Sequence, residues 1–165
     1  MYYIIYSIVV LILGIIIGIY IGYCVYSWRL RDSRGQAEKH LFLVRCYDIW
    51  MMTKQEGKSI PQYLKKQNIK NVVIYGMSFL GNRLYYELSE NGIEVKYGID
   101  QNEKCELLDL TIYQVENLKG IADKSDTVIV TAVLAYDAIK KELIKLGYQS
   151  IFCIDEILYQ LLRER

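Results

Sequence analysis

The chain has 165 residues, 20 of them Lys or Arg and 19 Asp or Glu, giving a net charge of +1. Without a basic excess, this balance excludes a dedicated nucleic-acid binder, and an apolar content of 53% excludes a disordered chain. All 39 charged side chains lie after Trp28, within 137 residues, enough for one small domain and little else.

The first element is the apolar run Tyr2 to Trp28, 27 residues without a charge. As a helix it is about 40 Å long, against roughly 30 Å for the hydrocarbon core of a bilayer. Only a helix satisfies its own backbone in lipid, so the abundance of Ile and Val does not make it a strand. Tyr2, Tyr3 and Tyr6 at one end and Tyr23, Tyr26 and Trp28 at the other stand where interfacial aromatic belts form. The length of the run, with no basic segment ahead of it and no small-residue cleavage site behind it, argues against a cleaved signal peptide. Bulky Tyr23 ahead of Cys24 argues against a lipoprotein site. The expectation is a single-pass anchor in a membrane bilayer.

Arg29, Arg31, Arg34 and Lys39 follow the run, and nothing basic except the terminal amine precedes it. The positive-inside rule therefore places the C-terminal domain in the cytoplasm. Gly14, Gly18 and Gly22 share one helix face as two overlapping G-x-x-x-G units, a surface on which a second membrane helix can approach closely. Cys24, Cys46, Cys105 and Cys153 are scattered without a C-x-x-C pair, so reduced thiols are expected rather than disulfides or a metal site.

Residues 29–39 form a polar, basic juxtamembrane link. From His40 to Glu56, apolar residues at Leu41, Val44, Tyr47 or Asp48, and Met51 or Met52 recur with a helical period, and Gly57 ends the pattern. His40, the one histidine, starts this helix and has no catalytic neighbour in sequence. Ser59 and Pro61 open a second short helix.

Strand and helix patterns alternate after Asn71. Residues 72–76 (VVIYG) and 93–100 (IEVKYGID) read as strands around a helix over 78–92 with Leu80, Leu84 and Leu88 in register. An edge strand is expected near Leu108 to Tyr113 and a helical turn near Val115 to Leu118. Strand 127–132 (TVIVTA), helix 134–147, strand 150–154 (SIFCI) and a closing helix complete the chain. This alternation predicts an α/β fold with a parallel sheet of about five strands and helices on both faces. Right-handed crossovers give the strand order 3-2-1-4-5.

Between the first of these strands and its helix the chain reads Gly76-Met77-Ser78-Phe79-Leu80-Gly81. This G-x-S-x-x-G differs by one residue from the dinucleotide fingerprint and stands in the strand-to-helix context that the fingerprint requires. Gly76 allows a tight turn, Gly81 lets the helix approach the strand, and the helix N-terminus offers N–H groups to a phosphate. Asp100, at the end of the next strand, is placed to accept from a ribose hydroxyl and to contribute little to the core. Thr131 and Ala132 end the fourth strand beside the loop. Ser78 stands where the fingerprint has glycine, and its hydroxyl is equally suited to capping the helix.

Tyr136 and Lys140 match the Y-x-x-x-K acid–base pair in which Lys lowers the Tyr pKa. No substrate-binding half follows them, and both residue types are abundant here, so coincidence is the simpler reading.

The runs NVVIYGMSFLGNRLYYELSENGIEVKYGIDQN and DTVIVTAVLAYDAIKKELIKLGYQSIFCIDEIL resemble the small Rossmann domains associated with bacterial capsule and exopolysaccharide assembly. They are also similar to the nucleotide-binding halves of membrane-bound sugar-nucleotide dehydratases and epimerases and of sugar phosphotransferases. The resemblance covers roughly residues 41 to 162. It implies a Rossmann fold at the cytoplasmic side of a membrane, a setting in surface-polysaccharide synthesis, and polysaccharide-assembly enzymes as partners. Its matching positions are Gly76, Gly81, Asp100, Thr131 and Ala132. The resulting plan is an anchor over 1–28, the link over 29–39, a helical lead-in over 40–68 and the Rossmann-like domain over 69–165. Three functions are open on these residues. One is a non-catalytic module binding a nucleotide, NAD(P) or a nucleotide-sugar; a second is a small NAD(P)-dependent oxidoreductase or epimerase; the third is a ligand-free scaffold that docks glycan-assembly enzymes.

Overall fold

The computed structural model describes residues 2–101, 109–118, 120–121 and 123–164. Cys105 and the start of the expected edge strand at Leu108 lie outside the described residues. Helix α1 (Tyr2–Gln55) opens the chain, and between Phe42 and Leu43 the chain divides into two compact units.

In the first unit the helix is long and apolar enough to cross a membrane, and large apolar side chains along it, from Tyr2 and Tyr3 to Trp28 and Leu30, are exposed. Nothing lies within 4 Å of the position a Cβ would take on Gly14, Gly18 or Gly22. The polar link 29–39 is itself helical.

The second unit begins with the remainder of α1. Cys46, Ile49, Trp50 and Thr53 are buried at i, i+3, i+4 and i+7 spacing. This corrects the face expected from sequence, because Leu41, Val44, Met51 and Met52 are exposed. Helical packing requires one stripe, and the stripe that packs is the one holding Trp50. Gly57, at φ +73°, ends the helix, with the Lys58 N–H donating to the Thr53 carbonyl at 2.9 Å. Ser59 caps α2 (Ile60–Lys66), and Pro61 occupies its first turn.

A five-stranded sheet, parallel throughout, has the order β3-β2-β1-β4-β5, as the alternating pattern predicts. Its strands are β1 (Asn71–Tyr75), β2 (Glu94–Ile99), β3 (Ile112–Tyr113), β4 (Thr127–Val130) and β5 (Ser150–Cys153). The connecting helices are α3 (Phe79–Glu90), α4 (Tyr136–Leu146) and α5 (Ile154–Arg163), with short 3-10 turns at Val115–Leu118 and Val133–Ala135. Strand β1 is central, and Val72 to Tyr75 are all buried, which is why it reads as an unbroken apolar run rather than an alternation. On one face Val73, Tyr75, Val128 and Val130 pack with Ile139, Leu143 and Tyr148. Helices α2, α3 and α5 pack together, and α3 buries Leu80, Leu84 and Leu88. Truncating any of these three leucines to Ala costs about 2–5 kcal/mol.

Three of the four cysteines lie among the described residues. Cys46 and Cys153 are buried and free, and Cys24 is exposed. Burial pushes the Cys46 thiol up to about 12, helped by the charge of Asp155, and burial raises Cys153 as well.

Candidate functional site

The site is built where β1 turns into α3. Gly76 has φ +96°, a conformation closed to most side chains. Its N–H donates to the Ile99 carbonyl at 2.8 Å, tying the turn to the end of β2. A Cβ on Gly76 would meet Thr131 Oγ1 at 2.7 Å and the Ala132 nitrogen at 3.2 Å. A Cβ on Gly81 would lie 2.1 Å from the Gly76 carbonyl oxygen. Both positions therefore require glycine, for the reasons the sequence pattern implies.

Thr131, buried at the end of β4, holds the turn from the other side. Its hydroxyl donates to the Gly76 carbonyl at 2.5 Å, and its N–H donates to the Tyr75 carbonyl at 2.9 Å. Ala132 is half-buried beside it. Asp100 closes the loop from β2: its Oδ2 accepts from the Met77 N–H at 2.6 Å. An acid placed by sequence for a ligand thus also performs a structural task.

The remaining loop residues separate by direction. Met77 and Leu80 are buried, whereas Ser78 and Phe79 are exposed. Ser78 occupies the N-cap position of α3, but its side chain makes no capping hydrogen bond, so the capping role left open by the sequence is not the one adopted. The N–H groups of residues 78 to 81 are those that a helix start leaves without internal acceptors, and they make this end attractive to an anion.

Beside the loop, at the carboxyl ends of β1, β2 and β3, is a small cavity of about 240 Å3 lined by Tyr75, Gln101, Gln114, Val115, Glu116 and Glu142. Burial raises the Tyr75 phenol above its ordinary value, and Glu142, Asp100 and Glu116 push it further the same way. This side of the loop is therefore acidic and suits hydroxyl or amine donors rather than phosphates.

No known protein family, curated protein or solved structure matches the chain.

The Tyr136 and Lys140 pair lies elsewhere. The Tyr136 hydroxyl faces the Ile151 carbonyl of β5 at 3.4 Å, and Lys140 Nζ sits 5.2 Å from the centre of the Tyr136 ring. Burial raises the Tyr136 phenol, outweighing the opposite pull of Lys140. A general base of this type needs the reverse shift. The geometry is that of a cation over a ring. Among the described residues no group of His, Cys, Asp or Glu could hold a metal ion.

One site residue was not anticipated. A Cβ on Gly98 would lie 2.7 Å from Met77 Cγ, so the absence of a side chain in β2 is what lets Met77 bury itself against the strand. The signal was present, since a glycine inside a strand marks close approach of another group.

Proposed function

We propose that the chain is a membrane-anchored module that binds a nucleotide or nucleotide-sugar at the β1–α3 loop, accessory to surface-polysaccharide synthesis. The observation that carries this reading is the loop itself. Gly76 and Gly81 bring helix and strand together while α3's first-turn N–H groups lie at the loop, and Asp100 stands at the end of β2. The phosphates sit at residues 78 to 81, and the sugar hydroxyls point toward Asp100 and the acidic cavity. The apolar start of α1 is the anchor, and the basic residues after Trp28 keep the domain on the cytoplasmic side. Gly14, Gly18 and Gly22 provide a face for pairing with a second membrane helix. The glycan setting rests on the resemblance alone.

The test is thermal unfolding of fragment 36–165 with nucleotides, NAD(P) and nucleotide-sugars. A ligand present at 100 times its Kd adds about 2.7 kcal/mol, a rise of roughly 10 °C for a unit of this size. The scaffold reading is favoured by one observation, the Met77 N–H already filling an oxygen of Asp100. No shift with any of these ligands selects the scaffold.

A further inference from the structure

The small cavity at the carboxyl ends of β1, β2 and β3 has a buried floor and polar walls. Tyr75, the last residue of β1, lies with Val73 on the face that packs against Ile139 and Leu143 of α4, and it also lines the cavity. Gln101 follows β2, Val115 and Glu116 follow β3, and Glu142 comes from α4. Gln114 Nε2 donates to the Gln101 carbonyl at 3.4 Å, linking the two loop walls. The volume of about 240 Å3 falls below the roughly 300–1,000 Å3 of sites for drug-sized ligands. It leaves room for a short chain or a single ring, at the strand ends where open parallel sheets hold ligands.

Tyr75 is only 7% exposed, yet among the described residues its hydroxyl bonds to no protein group. A buried tyrosine hydroxyl usually finds a partner, and one left without is costly. The fully enclosed polar atoms that lack a partner are Glu87 Oε1 and Asp126 Oδ2. The Tyr75 hydroxyl is not one of them, so a molecule in the cavity can reach it.

The charges around it have one sign. Glu116 and Glu142 line the cavity, Asp100 is close enough to act on the phenol with them, and no Lys, Arg or His is in the lining. Burial and these carboxylates hold the Tyr75 phenol protonated and neutral, with lone pairs left to accept. An anion here meets only like charge, and a neutral hydroxyl gains hydrogen bonds without charge attraction. A bare metal ion needs its ligands gathered at one point, and among the described residues no group of His, Cys, Asp or Glu could hold one. A primary ammonium brings a positive charge and three donors for acceptors set apart around a cavity. We propose that this cavity binds a primary ammonium on a small carbon skeleton, the ammonium donating to the Tyr75 hydroxyl and to the carboxylates of Glu116 and Glu142. No lining residue belongs to the 76–81 loop, so this site goes beyond the nucleotide reading and stands without it.

The test uses the full chain in nanodiscs of phosphatidylcholine, whose headgroup carries no net charge and does not itself gather amines. Putrescine and glucosamine are titrated to about 20 mM, well above a millimolar Kd, at about pH 6.5, where amines and carboxylates are both charged. Butanediol and glucose are their neutral counterparts. Saturation-transfer NMR and calorimetry report binding. At least one amine is expected to bind saturably and neither neutral counterpart to do so; putrescine alone marks a polyamine as the source, glucosamine alone an amino sugar. Tyr75→Phe keeps the packed ring and removes only the unbonded hydroxyl, and Glu142 is exposed, so Tyr75→Phe and Glu142→Gln both leave the fold intact. Each should raise the Kd about tenfold, the equivalent of 1.4 kcal/mol. No saturable binding of either amine, equal binding of the neutral counterparts, or an unchanged Kd in Tyr75→Phe overturns the proposal. None of the probes carries a phosphate, so that failure is distinct from a failure of the nucleotide reading.

Discussion

The carbonyl oxygen of Gly76 lies 2.1 Å from the point a Cβ on Gly81 would occupy. No side chain can rotate away from that contact, because both partners are backbone. Gly81→Ala must therefore push α3 off β1, at a cost of about 3 kcal/mol or more. Gly92 is the control: it has φ +73° and nothing within 4 Å of its missing Cβ. Gly92→Ala should cost only the strain of the left-handed conformation, about 1 kcal/mol. Urea unfolding of fragment 36–165 compares the two, and equal losses would show that the close approach is not what fixes Gly81.

Asp100 was expected from sequence to matter for a ligand and little for the core. Its bond to the Met77 N–H changes that expectation. Hydrogen bonds to charged groups contribute about 1.5–3 kcal/mol, and Asp100 is half-buried, so Asp100→Ala should destabilise the fragment by about that amount before any ligand is added. Asp100→Asn keeps an acceptor and should recover part of the loss. A stability unchanged in both variants would mean that the bond contributes nothing to the loop.

Alkaline pH should weaken the fold. The Cys46 thiol is pushed from 9.0 up to about 12 in the folded chain, and burial moves Cys153, Tyr97 and Tyr148 in the same direction. A raised folded-state value means that the native state keeps a proton that the unfolded chain has released. The stabilisation is complete below the unfolded value and is lost as pH climbs toward the folded one. For Cys46 that window is pH 9 to about 12, with a slope of at most about 1.4 kcal/mol per pH unit for each such group. Cys46→Ala should flatten part of the slope in denaturation curves recorded across the window. An identical slope would show that the thiol takes no part.

The sheet order was legible because the apolar runs β1 and β4 each lead through a helix of similar length, 12 and 11 residues, into a following strand. The loop was legible because Gly76 and Gly81 answer to local geometry. Three features were not. The 40–56 helix is apolar on two sides, and Leu41, Val44 and Met51 match a helical period as well as Cys46, Ile49 and Trp50 do; only packing chooses between the stripes. Glu87 reads as a solvent-facing acid on an amphipathic helix, and its burial depends on Trp50, 37 positions earlier in the chain. Met77 seated against Gly98 is a contact between two elements, announced by nothing more than a glycine within a strand.

Ser78 is the position at which the proposed binding by the loop is most directly tested. Its side chain is exposed and caps nothing, so Ser78→Gly removes no intramolecular bond and should change stability by only a few tenths of a kcal/mol. Any change in affinity then reports on the ligand directly. If the hydroxyl donates to a phosphate, glycine should weaken binding by about 1.5–3 kcal/mol, the usual contribution of a hydrogen bond to a charged group, which is roughly ten- to a hundredfold in Kd. If the Cβ and hydroxyl instead occupy the path by which a pyrophosphate approaches the backbone, glycine should tighten binding of NAD. Calorimetric titration of fragment 36–165 and its Ser78→Gly variant with NAD and with a nucleotide-sugar separates the two outcomes by sign. Binding by neither protein would remove the nucleotide reading and leave the loop as a structural joint between β1 and α3.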